Sequence, residues 1–334
     1  MKNLLNIFFC VIIICIATIT STEIEKGNDH AKTFLGFMTK YNKKYSSQRE
    51  LGYRFKVFKD NMKRAEELQK ADLGTAKYGV TKFADLTVQE FRDTYLGLDK
   101  KYVDGKKSSP LAEIPDVKLP KNFDWREHGA VTPVKNQGSC GSCWTFSVTG
   151  NIEGQYAIKY QNLSSFSEQE IVDCDKTDGG CSGGWPSLAY QALDDIGGLV
   201  LESDYPYTGV DGSCTFDKSN VVVQVNGSVS LPVDETAIAK WMYANGPVSI
   251  CLNANDMQLY QGGISHPSSC DKYYIDHAVL LTGFGVKKVN KKKTPYWIIK
   301  NSWGTNWGEE GYYRVFRGNG TCGLDLVVSS AIIV

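Results

Sequence analysis

The chain has 334 residues, enough for a large core and about two domains, and its 42% hydrophobic and 22% charged content describes a globular protein, not a disordered one. Its formal net charge is zero, so nothing at that level points to nucleic acid. The charge is unevenly placed, however: residues 22–117 carry 19 Lys+Arg against 15 Asp+Glu, and residues 118–334 carry 17 against 22. Two such segments are electrostatically matched, as an inhibitor and its target are, and the expected contacts are carboxylate–cation pairs that let go as acid protonates the carboxylates.

Residues 1–20 combine Lys2, a largely apolar run from Leu4 to Ile19 and then small polar residues. That run is short for a membrane span and suits a signal peptide, which predicts the secretory pathway, an oxidising compartment and no membrane-spanning segment. Phe34, Phe37, Met38, Tyr41 and Tyr45 fit an amphipathic helix within 29–45. A second helix is predicted over about 48–70, where Glu50, Arg54, Phe58, Asn61, Ala65 and Gln69 share one stripe. Glu50 and Arg54 would pair at i,i+4, and the mixed stripe points to packing against another helix. Alternation at Gly79, Thr81, Phe83 and Asp85 predicts a strand, followed by a short helix around 88–95. Residues 99–120 are rich in Lys, Ser and Pro and read as an exposed linker of the kind proteases nick.

After Lys118 the composition shifts toward Gly, Trp and Tyr, and eight of the ten cysteines lie there. Gln137–Phe146 is a Gly-broken polar loop running into an apolar helix, which places Cys143 at the helix start. Unpaired N–H groups and the helix dipole there favour an anion, so the thiol pKa is expected to drop. Gln137 offers a side-chain amide as an oxyanion donor. Cys140 and Cys143 also form a C-x-x-C, which leaves a redox pair, half of a zinc site or ordinary disulfide partners open at this point. Ser167 and Glu170 read as a capping box opening a helix into Cys174. Pro186 starts another that ends at Gly197-Gly198, and Asp234 caps a third that ends at Gly246-Pro247. Strands are predicted at 248–252, 277–283, 296–300, 311–316 and 326–334. A helical half followed by a β half predicts an α+β protein of two lobes with a cleft between them.

A thiolate at Cys143 needs a base, and the chain has four histidines. His30 lies in the first segment, His128 in a loop-like stretch and His266 before Pro267; His277 alone opens an apolar strand. Asn301, at the end of the neighbouring predicted strand, is placed to fix the imidazole tautomer, with Trp303 covering the pair.

Gln137, Cys143, His277 and Asn301, each within its surrounding motif, resemble the papain family of cysteine proteases, from the first segment to the C-terminus. His277 lies 134 residues after Cys143 and Asn301 lies 158 after it, the latter stretched by the Lys287–Lys293 insertion. Ala65, Gln69 and Thr81 depart from the family's common prosegment residues and match its cathepsin F branch, as does Ile275–Leu281. Thr145 departs from the usual Ala after Cys-Trp, which puts rate in doubt more than mechanism.

The resemblance implies a papain-like fold with a helical left lobe and a β-barrel-like right lobe. It divides the chain into a signal peptide at 1–20, an inhibitory prosegment at 21–118 and a peptidase domain at 119–334. Cys143 would be the nucleophile, His277 its base, Asn301 the orienting partner and Gln137 the oxyanion donor. Gly183 and Gly184 would run along the substrate backbone. Trp185, Pro186, Cys251, Ile275 and Val327, with Trp303 nearby, would line the main specificity pocket, which then takes an apolar side chain. The implied disulfides are Cys140–Cys181, Cys174–Cys214 and Cys270–Cys322, leaving Cys251 unpaired. No cofactor or metal is implied. The implied partners are protein and peptide substrates, the prosegment itself and cystatin-type inhibitors, for a monomer in the lysosome or outside the cell. Asn162, Asn226 and Asn319 are glycosylation sequons. A decoy that keeps the fold without turnover and a disulfide oxidoreductase are the rival classes; intact Cys143, His277 and Asn301 weigh against the first, and a disulfide at Cys140 would exclude the second.

Overall fold

Three buried apolar clusters organise the computed structural model, which describes residues 29–98, 109–268, 270–289 and 292–334. The expected signal peptide and the first part of the linker lie outside these residues.

The first elements among the described residues are α1 (29–40) and α2 (Gln48–Ala71), within the expected prosegment. Their facing apolar residues, Phe34 and Phe37 against Phe58, Met62 and Ala65, form one cluster. The expected Glu50–Arg54 pair does not form. Ser46 donates to Glu50 from both its backbone N and its hydroxyl, while Arg54 reaches across to Glu90 at 2.9 Å and to the Asp85 carbonyl. The rest of the stripe holds a loop as well as α1: Asn61 donates to the carbonyls of Ala84 and Leu86, and Gln69 to that of Ala76.

The strand predicted over 79–85 is also corrected. Only Lys77–Tyr78 (β1) is extended into a ladder; beyond it the Thr81 hydroxyl accepts from the Phe83 N–H and donates to the Gln258 carbonyl, closing a turn. A hydroxyl that satisfies the backbone locally competes with sheet pairing. The turn delivers Phe83, with Phe91 of α3 (Val88–Tyr95), onto Trp303 at ring separations of 5.3 Å.

In the left lobe, α4 (Cys143–Tyr160), α5 (Glu168–Cys174) and α6 (Pro186–Ile196) pack around Trp144, Ile152, Tyr190 and Leu193. Ser167 caps α5 as expected, but Glu170 bonds the Val200 N–H instead of returning to the cap. The network beneath α4 is ionic: Lys135 reaches both Glu153 and Glu168, and Lys300 donates to Thr132 beside them.

The right lobe follows β2 (Phe123–Asp124), β3 (Val225–Ser230), α7 (Glu235–Asn245), β4 (Val248–Leu252), β5 (Tyr260–Gly262) and β6 (Ile264–Ser265). It is completed by β7 (His277–Val289), β8 (Lys292–Lys300), β9 (Tyr312–Phe316) and β10 (Val328–Ile333). The main sheet runs β3-β10-β4-β7-β8-β9-β6, with β2 added to β7; β1 pairs separately with β5. Its ends, β3 and β6, are not hydrogen-bonded neighbours, so the barrel-like lobe expected from the resemblance does not close into a barrel. Lys287 and Lys288 lie opposite Lys293 and Thr294 in the β7–β8 hairpin. Part of the linker is ordered too: Leu111 bridges Ser230 in parallel, because the outer edge of β3 otherwise has unpaired backbone groups.

The charge complementarity between segments takes another form than expected. Among the described residues, ion contacts across the interface are Arg64–Asp256 at 3.7 Å, Arg92–Asp276 at 3.9 Å and Lys240–Asp116 at 3.2 Å. Burial raises the Asp256 and Asp276 carboxyls instead of leaving them depressed. Two carboxylates inside the prosegment are held low instead: Glu50 by its hydrogen bonds from Ser46, and Glu90, where burial works upward but hydrogen bonds from Thr87 and Arg54 outweigh it. A carboxylate held low stabilises the fold above its ordinary pKa, and that contribution is lost as pH falls through the lowered value. In a Cys143→Ala background, Glu90→Gln is therefore expected to move acid-induced opening of the prosegment to higher pH, followed by hydrogen exchange over α2. An unshifted midpoint contradicts this.

Candidate active site

The cleft between the lobes collects the four residues singled out at sequence level. Cys143 opens α4, and Ser142 occupies the N-cap position without a side-chain cap. The Ser142 hydroxyl instead lies 2.7 Å from the Tyr207 hydroxyl, which donates to the Gln137 carbonyl at 2.8 Å. Since Tyr207 gives its proton to that carbonyl, Ser142 is the donor to Tyr207. Gln137 is held from the other lobe as well: Ser302 donates to its Oε1 at 2.7 Å, and its Nε2 donates to the Cys140 carbonyl at 2.9 Å. Tyr207 and Ser302 were missed at sequence level. Ser302 sits within the Asn301 motif, whereas Tyr207 lies in a loop far along the chain and has no local signal.

His277 opens β7 and Asn301 follows β8, its antiparallel neighbour. His277 Nε2 lies 2.8 Å from Asn301 Oδ1. A carbonyl oxygen accepts, so Nε2 carries the proton and Nδ1 is the free basic nitrogen of the neutral ring. Nδ1 is buried without a hydrogen-bond partner. Trp303 stacks on the ring at 4.7 Å and is fully buried. The other histidines are elsewhere: His128 stacks on Phe123, His266 on Phe316, and His30 lies in α1.

The expected drop in the Cys143 pKa is reversed in this closed form. Burial pushes the thiol up to about 11, although backbone groups of Ala278, Gly97 and Trp144 favour the thiolate. Burial also pulls His277 down to about 4, against the bond it donates to Asn301. The helix start does favour an anion, but a dry site disfavours charge on both partners more strongly. Burial therefore favours the neutral form of both sulfur and imidazole here.

The cover is the prosegment. The Tyr95 carbonyl accepts from Gln137 Nε2 at 3.1 Å, and the Gly97 carbonyl accepts from the Gly184 N–H at 2.9 Å. Leu98 bridges Gly184 in parallel and donates its N–H to the Asp276 carbonyl. Gly183 has φ +112°, and a β-carbon there would stand 2.6 Å from the Gly97 carbonyl oxygen. Leu98 is buried in the cluster that holds Trp185, Cys251 and Ile275, with Val327 packed against it. Pro186 is buried at the start of α6, directly after Trp185. Deeper in the prosegment, Lys82 donates to the Trp303 carbonyl, and Arg64 donates to Gln258 and to the Asn255 carbonyl.

Residues 119–332 match the papain family cysteine protease domain, and residues 34–91 match the cathepsin propeptide inhibitor domain (I29). The chain belongs to the papain family of cysteine proteases. It is 50% identical to cathepsin F of Mus musculus over 91% of this chain and 65% of that protein, and 50% identical to cathepsin F of Drosophila melanogaster over 90% and 50%. It thus spans about half to two thirds of the length of those relatives. Cysteine proteinase 15A of Pisum sativum is 48% identical over 92% of this chain and 89% of its own. Among solved structures, digestive procathepsin L2 proteinase from Tenebrio molitor larval midgut superposes with a TM-score of 0.82 at 35% identity, covering 90% of this chain and 99% of that one. The recombinant stem bromelain precursor superposes with a TM-score of 0.80 at 31% identity, covering 91% and 98%.

The three disulfides that the papain-family resemblance implies are all present: Cys140–Cys181, Cys174–Cys214 and Cys270–Cys322. Cys143 and Cys251 are free and buried. Cys140 is thereby tied to structure, which removes the disulfide-oxidoreductase alternative. Among the described residues no cluster of His, Cys, Asp or Glu is arranged to hold a metal, and no helix is long and apolar enough to cross a membrane. Asn162, Asn226 and Asn319 are all exposed.

Tyr207→Phe removes only the hydroxyl that links Ser142 to Gln137. It is expected to cost about 1–2 kcal/mol of stability through the two groups left unpaired, read as a lowered Tm. It is also expected to lower kcat for peptide hydrolysis several-fold at unchanged KM. Unchanged kcat contradicts the positioning assigned to Tyr207.

Proposed function

We propose that the chain is the zymogen of a papain-like cysteine endopeptidase of the secretory pathway, acting in the lysosome or outside the cell. The observation that carries this is the convergence of Cys143, the His277–Asn301 pair and Gln137 in one cleft, sealed by the chain's own prosegment. Once the cover leaves, the Cys143 proton passes to His277 Nδ1, giving a thiolate at the α4 N-terminus beside an imidazolium. The thiolate attacks the peptide carbonyl, and the Gln137 amide together with the Cys143 N–H holds the resulting oxyanion. His277 then gives its proton to the leaving amine as the C–N bond breaks, and a thioester remains. Water, deprotonated by His277, attacks the thioester; the acid product leaves and the thiol is restored.

Leu98 marks the pocket for the second residue upstream of the cut, which supports a preference for apolar side chains there. It also explains why the prosegment is not itself cut. A substrate with Leu98 in that pocket would present the following residue at the sulfur, whereas Gly97, the preceding one, lies there. The prosegment therefore runs backwards through the cleft and offers no carbonyl in the productive sense. Cystatin-type inhibitors fit the same open cleft, the exposed sequons are candidate glycosylation sites, and a monomer suffices for the chemistry.

Cys143→Ala is expected to abolish hydrolysis while leaving the zymogen folded and uncut at acid pH. The wild-type zymogen, incubated at acid pH with a thiol-directed peptide epoxide, is expected to shorten within 99–120 and to be labelled at Cys143. Hydrolysis by the Ala variant above background, or label on Cys251 instead, contradicts the assignment.

A further inference from the structure

The β7–β8 hairpin carries four exposed lysines, Lys287 and Lys288 on one strand and Lys292 and Lys293 on the other. The register sets Lys288 directly opposite Lys293, and Val289 opposite Lys292. Cross-strand partners share a face and successive residues alternate, so Lys288 and Lys293 occupy one face and Lys287 and Lys292 the other. Like charges directly opposite each other weaken a ladder. Among the described residues none of the four forms an ion pair that would offset this. Glu309 feels the charge of Lys287, yet its carboxylate already accepts from Arg314 Nε and Nη2 and from the Gly263 N–H.

The hairpin also stands clear of the sheet. β2 pairs with β7 at Phe284 and Gly283, and β9 reaches β8 no farther than Tyr296. Outward of Val286 and Pro295, among the described residues, the two strands pair only with each other. The rest of residues 118–334 holds 13 Lys and Arg against 22 Asp and Glu, so a basic ribbon is set on an acidic body.

That contrast selects the kind of anion. A flat anionic surface meets only one face of the ribbon and brings the acidic body toward like charge. A stacked base needs an aromatic platform, and residues 286–295 contain none. A flexible sulfated chain can wrap both faces and touch the ribbon alone, while salt screens charges farther off than about 8 Å. Lysine suits such a chain, since a compact ammonium needs no bidentate geometry. Lys287 follows His277 by ten residues of β7, roughly 33 Å along the strand, so an anion held there leaves the cleft open.

We propose that the β7–β8 hairpin is a docking site for a sulfated polysaccharide, which tethers the protein while leaving the active cleft free. The choice of a sulfated chain rests on the secretory-pathway reading above; the binding itself does not require peptidase activity.

The test measures the Kd of the full-length zymogen for heparin, in wild type and in a variant combining Lys287→Gln, Lys288→Gln, Lys292→Gln and Lys293→Gln. Both chains carry the same basic prosegment, so their difference isolates the hairpin. The variant is expected to bind at least about tenfold more weakly. Its slope of log Kd against log salt is expected to fall by roughly three, for the counterions that four lysines release. Lys288→Glu, which sets opposite charges across the ribbon, is expected to weaken binding and raise Tm. After acid activation, saturating heparin is expected to leave kcat/KM for a short peptide unchanged. Equal heparin affinity of wild type and the fourfold variant overturns the site. So does tighter binding to phosphatidylserine vesicles or to a single-stranded oligonucleotide than to heparin, or competition between heparin and the peptide. Absence of hydrolysis with the affinity difference intact removes the peptidase reading and leaves the site standing.

Discussion

The closed form depends on how near the backbone of Gly97 comes to that of Gly141. A β-carbon on Gly97 would stand 1.7 Å from the Gly141 carbonyl oxygen, so a side chain cannot be accommodated there without moving main chain. Only at that distance can the Gly97 carbonyl reach the Gly184 N–H and Leu98 drop into the apolar pocket. The seal removes water from sulfur and imidazole together, and each is driven to its neutral state. The same helix N-terminus that favours a thiolate in an open cleft is thus overridden by dryness, without any change in the residues around it.

This has a consequence for how acid acts. Uncovering the pair moves one proton from sulfur to imidazole and changes the number of bound protons by none, so it confers no pH dependence by itself. The interface aspartates have the wrong sign for acid release. Burial raises Asp256 and Asp276, so neither carries a depressed pKa that falling pH could undo at the seam. Glu90, held low within the prosegment by Thr87 and Arg54, has the right sign. On these directions the acid-labile carboxylate lies within the prosegment's own fold and not at its seam with the peptidase domain.

Much of this was legible in the sequence because the signals were local. Asp234, Pro186 and Ser167 each begin the helices they were expected to begin, since capping involves only the next few residues. His277 stood apart from three other histidines because it alone opens an apolar strand. What was not legible depends on partners distant in sequence. Val225–Ser230, polar and Gly-containing, was not among the predicted strands and becomes one because β10 and the linker flank it. The alternation at 79–85 was overridden by one threonine hydroxyl with Gln258 for a partner. Arg54 left its helical neighbour Glu50 for Glu90, because a charged bond to a partly buried partner outweighs an exposed i,i+4 pair. The Cys143 pKa was misread for the same reason: the helix start is local, whereas its cover arrives from residues 97–98.

The most direct measurement is the rate of Cys143 alkylation by iodoacetamide against pH, in the intact zymogen and in the chain after acid activation. A neutral, buried thiol predicts no reaction in the zymogen at pH 5 to 7. The thiolate of the uncovered pair predicts rapid reaction across the same range, with Cys251 inert in both. Equal rates before and after activation, or a released thiol that reacts only as pH approaches that of an ordinary cysteine, would contradict the account.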